Sequence, residues 1–263
     1  DGRLKIINGD LKANQDGSYT LTIEAATGKN NSFELKSVEC DAFNLGETSG
    51  AQRTTESSTF GQMWRITYPK VTLQQYLSTY TLSVVFEKTE NGKLIQQKLS
   101  YQLNGNYYRR ISSANEWVTV MSEYGQNFEN FEITQDIDLS SVAQNVIVDR
   151  NLVNLKINSL RSANGGSYTI RGLKYIAQEE SESIIASLAG TVENVTFENM
   201  SISNYERGLG GTNVGLIGQN NGTIQNVTFK GIEVKGNSAN HVGCIGQNNG
   251  VVQDVTVQDV KIT

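Results

Sequence analysis

Residues 183–263 repeat one arrangement of apolar and polar positions three times. The blocks SIIASLAGTVENVTFENMSIS (183–203), GLIGQNNGTIQNVTFKGIEVK (215–235) and GCIGQNNGVVQDVTVQDVKIT (243–263) align on turn glycines at 190, 222 and 250, in steps of 32 and 28 residues. Each block reads as two or three short strands joined by tight turns. None is long enough to bury its own apolar face, so each must stack on its neighbours. Stacking as successive coils of a β-solenoid predicts apolar columns: Ile185, Ile217 and Ile245; Val195, Val227 and Val255; Phe197, Phe229 and Val257. Cys244 falls in the column of Ile184 and Leu216 and reads as a small core hydrophobe. Corner residues must recur for the same reason. Gly222 and Gly250 are expected in a backbone conformation that a Cβ makes costly, and Asn tolerates the left-handed region. Asn220 should stack on Asn248, and Asn221 on Asn249, in amide ladders along the axis. Asp254 stands where the other blocks have Asn194 and Asn226, and reads as a tolerated surface position. The insertions at 204–214 and 236–242 differ in length and read as surface loops.

Upstream, the pattern is of short strands: SYTLTIEA (18–25), SFELKSVEC (32–40), MWRITY (63–68), YTLSVVFEK (80–88) and KLIQQKLSYQL (93–103), several alternating with period two. Turn formers separate them, and ENG (90–92) closes a hairpin. Such runs predict an immunoglobulin-like β-sandwich over 1–108, without the cysteine pair of a true immunoglobulin domain. At 111–125 the periodicity changes to that of a helix. Ser113 and Glu116 form a capping box, Trp117, Val120, Met121 and Tyr124 share a face, and Gly125 supplies a stop. Strands follow at 131–140, 145–148, 154–158 and 167–176. The expectation is an all-β protein: the sandwich, then a right-handed parallel β-helix over 109–263. The helix should cap the first coil, hiding an edge open to pairing. The last coil has no such cover, so the natural protein is expected to continue beyond it, and the opening DGRLKI reads as the start of a mature or excised piece.

Charge narrows the function classes. Lys and Arg number 22 against 27 Asp and Glu, a net charge of −5, with no basic tract, so nucleic acid is a poor partner. No apolar stretch is long enough for a membrane-spanning helix. Cys40 and Cys244 are too few for a disulfide framework and lack metal-site spacing. The sequons at Asn194 and Asn226 read as Asn-rich turns rather than glycan sites.

Catalytic candidates are few. His241 is the only histidine and stands in a variable loop, and H-E-x-x-H is absent. Asp136 and Asp138 fall on one face of a strand and could bind a divalent cation or serve acid–base work. They read instead as an outward polar face opposite Ile137 and Leu139, with no Arg or Lys at lyase spacing beside them. ATGKNNS (26–32) and GLGG (208–211) lack the context of a phosphate or dinucleotide loop and read as turns. Trp64, Tyr68, Tyr76, Tyr107 and Tyr108 could line a sugar-binding surface, but such aromatics read as packing.

The G-x-I-G-x-N-N-G core followed by N/D-V-T resembles the GLUG repeat of bacterial surface proteins, including the region ahead of the protease domain in streptococcal IgA1-specific zinc metallopeptidases. EITQDIDLS and SANGGSYTIRGLKYI look like the opening of many bacterial right-handed β-helices. The likeness covers roughly 110–263, and the first block departs from it with ASLAG. It implies a non-catalytic spacer or adhesion region, extracellular or on the cell surface, that takes no cofactor or metal and is monomeric as a fragment. A host glycoprotein or polysaccharide is the implied partner. An accessory substrate-binding region of a secreted metallopeptidase and a polysaccharide-active β-helix are the alternatives.

Overall fold

The computed structural model describes residues 3–29, 31–45, the backbone of 52–58, 61–141, 152–176, 183–203, 213–236 and 239–263. The strand expected at 145–148, GLGG and most of the loop at 204–214 lie outside them. The chain is mostly β and divides into two compact units, Asp1–Asn106 and Tyr107–Thr263.

The first unit is a curled antiparallel layer. Lys5–Ala13, Tyr19–Ala26, Gly61–Leu73 and Phe43–Asn44 pair in that order, with Gln52–Ser58 also on Gly61–Leu73; a second set orders Glu34–Glu39, Thr79–Glu90 and Lys93–Asn104. Alternate residues Leu21, Ile23, Ala25 and Val84, Phe86 turn inward and are buried. Two tyrosines tie the sets together: the Val38 N–H donates to the Tyr68 hydroxyl at 3.2 Å, and the Gly9 N–H to that of Tyr101 at 3.1 Å. The ENG hairpin forms with Glu90 opposite Lys93 and positive φ at Asn91 and Gly92.

The second unit is a β-solenoid of about four turns. Among the described residues, every strand pair in it is parallel. The broad sheet stacks Arg109–Ile111, Asn130–Ile133, Ser159–Ser162, Thr191–Glu193, Thr223–Lys230 and Val251–Gln258, joined through Thr223–Lys230 by the column Ile137–Asp138, Tyr168–Arg171 and Val195–Glu198. A narrow sheet stacks Leu155–Ile157, Ile185–Leu188, Ile217–Asn220 and Ile245–Asn248. A second stacks Lys174–Ile176, Ser201–Ser203, Glu233–Lys235 and Lys261–Ile262. The expected columns stand in register: Ile185 on Ile217 on Ile245, Phe197 on Phe229 on Val257, and Val227 on Val255. Phe197 and Phe229 stack with centroids 5.7 Å apart. The carbonyls of Ile184, Leu216 and Cys244 accept equivalent bonds from Leu155, Ile185 and Ile217, placing Cys244 in its apolar column.

The helix runs Ala114–Tyr124. Ser113 caps it by accepting from the Glu116 N–H at 3.1 Å, while the Glu116 carboxylate reaches one residue further back than a capping box requires, to the Ser112 N–H at 2.7 Å. Trp117 and Met121 are buried in the solenoid's hydrophobic core with Ile111 and Phe131, and Val120 and Tyr124 pack against it. Gly125 ends the helix without entering the left-handed region; an added Cβ there would strike the Met121 carbonyl and the Leu155 side chain.

Candidate functional site

The corners of the coils are the first place where sequence and geometry meet. Asn220 ends its strand pointing inward, at the height where the preceding coil has Leu188, and is fully buried. A buried amide must have its hydrogen bonds made. Its Nδ2 donates to Asn248 Oδ1 at 2.8 Å and to the Val251 carbonyl at 3.2 Å, and its Oδ1 accepts from the Gly222 N–H at 3.0 Å. Asn248 repeats the last contact with the Gly250 N–H at 3.3 Å. Outside, Asn249 Nδ2 donates to Asn221 Oδ1 at 3.3 Å, and Asn221 Nδ2 to Ser187 Oγ at 3.2 Å.

The glycines of these corners serve a different purpose from the one expected. Gly222 and Gly250 have no positive φ; what excludes a side chain is proximity, since a Cβ on Gly222 would fall on the Gly190 carbonyl oxygen and one on Gly250 on that of Gly222. The left-handed corners lie four residues on, at Asn194 (φ 57°), Asn226 (φ 50°) and Asp254 (φ 51°), and again at Asn199, Gly231 and Asp259. Asn and Asp are the side chains that tolerate this region. Asp254 is therefore a backbone requirement met by a second suitable residue, and more than a tolerated surface variant.

Between the corners, the outward residues of the broad sheet form two polar ladders. In one, Glu132 lies between Arg110, with Nε at 2.9 Å, and Arg161, with Nη2 at 3.1 Å. The Arg161 guanidinium also covers the Tyr108 ring at 3.6 Å, a cation–π contact. The row continues as Gln225 donating to Glu193 at 2.6 Å and Gln253 to Gln225 at 2.9 Å. In the other, Glu198 accepts from Arg171 at 3.0 Å and pairs with Lys230 at 3.2 Å. The bond from Lys230, helped by Arg171, holds the Glu198 carboxyl below its ordinary range. No single motif signals these ladders, because each partner comes from a different coil.

The pair Asp136 and Asp138 points outward while Ile137 and Leu139 are buried. Contrary to expectation a cation does stand beside it: Arg171 Nη2 lies 3.7 Å from Asp136 Oδ2, brought there by the next coil. Both carboxylates also serve the backbone. Asp136 accepts from the Thr169 N–H at 2.8 Å, and Asp138 from the Ser140 hydroxyl and N–H, which lowers its pKa. A general acid needs the opposite shift. His241 is exposed, its Nδ1 2.9 Å from Asn213 Oδ1. Among the described residues, no three His, Cys, Asp or Glu side chains gather as a metal site, and no helix is long and apolar enough to cross a membrane. Cys244 is buried, and desolvation pushes its thiol up to about 11; Cys40 is also free. Of the five aromatics, Trp64, Tyr68 and Tyr76 belong to the first unit and Tyr107 and Tyr108 to the second, and Tyr68 and Tyr108 are engaged as described.

No family model matches the chain, and neither the curated proteins nor the solved structures compared with it include a match.

Proposed function

We propose that this chain is a non-catalytic spacer and adhesion region of a bacterial surface or secreted protein: an immunoglobulin-like sandwich followed by a right-handed GLUG-type β-helix whose first coil is capped by the helix Ala114–Tyr124. The observation that carries the reading is the use made of the outward ionisable groups. Glu132 is held between Arg110 and Arg161, and Glu198 between Arg171 and Lys230, so charge that could serve a reaction instead links coil to coil. Such links, with the amide ladders, favour a stiff rod. Over the last three coils the length varies on one side: the 32- and 28-residue steps differ only in the stretch between the second narrow sheet and the first, at 204–216 against 236–244. That is where a rod displays binding loops.

The test is to incubate the purified chain with polysaccharide and peptide panels, and separately with immobilised glycoproteins and polysaccharides. Retention of a glycoprotein or polysaccharide without product is the expected result. Any turnover that is lost in Asp136→Asn or Asp138→Asn would replace this reading with that of a polysaccharide-active β-helix.

A further inference from the structure

The chain holds six Asn-Gly pairs, at 8–9, 91–92, 104–105, 164–165, 221–222 and 249–250. Such a pair can rearrange without an enzyme. The glycine nitrogen gives up its proton and attacks the asparagine Cγ; the new N–Cγ bond closes a succinimide, the Cγ–Nδ2 bond breaks, and the nitrogen leaves as ammonia with that proton. One water then opens the ring at either carbonyl, leaving aspartate or isoaspartate. Ring closure needs a glycine N–H that is not held in a hydrogen bond, and room for the side chain to fold onto it.

The fold engages five of those six donors. Gly9 donates to the Tyr101 hydroxyl at 3.1 Å and Gly105 to the Ser78 carbonyl at 2.9 Å. Gly222 donates to Asn220 Oδ1 at 3.0 Å and Gly250 to Asn248 Oδ1 at 3.3 Å, so in each Asn-Asn-Gly corner the first asparagine guards the second. Gly165 belongs to the one-turn 3-10 helix Ala163–Gly165, whose i→i+3 bonding occupies its N–H. Gly92 differs. With Asn91 it makes the two-residue loop between Glu90 and Lys93, and both loop residues are exposed and at positive φ. Among the described residues nothing accepts from the Gly92 N–H, and nothing lies within 4 Å of the place a Cβ there would take.

We propose that Asn91 is a site of spontaneous covalent modification in the folded chain, passing through the succinimide to aspartate and isoaspartate, while the corner asparagines Asn221 and Asn249 are spared. The product alters the hairpin tip in two ways. A neutral amide becomes a carboxylate next to Glu90, and isoaspartate routes the main chain through the side-chain carbon. That lengthens a loop whose two residues fix the register of Glu90 opposite Lys93. The doubled asparagine of the repeat thereby gains a chemical role beside its structural one: Asn220 holds the one atom that would otherwise attack its neighbour.

Incubation of the intact chain in mildly alkaline buffer, with and without urea, followed by peptide mapping that resolves isoaspartate from asparagine, tests this. In urea the six pairs should react at similar rates. In the folded chain Asn91 should lead each of the other five by roughly tenfold or more, since those must first release a bound N–H. Asn220→Ala should raise the rate at Asn221 by a similar factor, and Asn248→Ala that at Asn249, each with the rate at Asn91 unchanged and a circular dichroism spectrum like the parent's. Within the parent alone, a ranking of the six pairs that is the same with and without urea would overturn the proposal, as would Asn221 or Asn249 reacting as fast as Asn91 in the folded chain.

Discussion

Asn220 and Asn248 hold each other across one coil step: the buried amide of the first donates to the second at 2.8 Å and accepts from the Gly222 N–H two residues along its own chain. One side chain thus fixes both the vertical register and the local turn. Asn220→Ala leaves the partly buried Gly222 N–H without its acceptor and Asn248 Oδ1 without its donor, and should cost about 1–3 kcal/mol in urea unfolding. Asn221→Ala, on the exposed side of the same corner, should cost under about 1 kcal/mol.

The two kinds of corner predict opposite responses to the same substitutions. Asn226→Gly keeps a left-handed corner available and should change stability by only a few tenths of a kcal/mol, whereas Asn226→Val should cost about 1–2 kcal/mol. Gly222→Ala should be the worse change, at about 3 kcal/mol or more, because its methyl group meets the Gly190 carbonyl rather than an unfavourable dihedral. Equilibrium unfolding of the three variants separates the causes.

Lys230 and Arg171 depress the pKa of Glu198 in the folded chain. A depressed carboxyl contributes stability that is fully present above its unfolded value, about 4.3, and is lost as pH falls through the lower folded one. Glu198→Gln should therefore be less stable than the parent at pH 7, by about 0.5–1 kcal/mol for a partly exposed network. The difference should shrink as pH falls from 7 toward 3. Unfolding midpoints at the two pH values check the sign.

Burial raises the pKa of both thiols, with Cys244 at about 11 and Cys40, half-buried, displaced in the same direction. At pH 8 iodoacetamide should label Cys40 first in the native chain, and Cys244 should react at a comparable rate only in denaturant. Peptide mapping by mass spectrometry reads the order.

The solenoid was legible because its constraint is periodic: Ile217 and Ile245, or Phe229 and Val257, recur at the coil step and land in register. The corners were legible in position and not in mechanism. Asn and Gly both signal a turn, and sequence cannot say whether a glycine is there for its dihedral, as at Gly231, or for a neighbour's carbonyl, as at Gly222. The strand Lys5–Ala13 is absent from the runs read in the sequence, its alternation being broken by Asn8 and Gly9; Gly9 is there because the Tyr101 ring occupies the space of a side chain. The charge ladders were invisible because Glu132, Arg161 and Arg110 come from three separate stretches that only the winding brings together. In the candidate site, the same blindness hid the cation beside Asp136.

The unequal steps of 32 and 28 residues leave every column aligned, since the surplus is absorbed where the chain crosses from one narrow sheet to the other. One more winding of the same kind would therefore keep the apolar columns in register. Each such winding would lengthen the solenoid by one strand spacing, roughly 4.8 Å, whatever the length of the crossing.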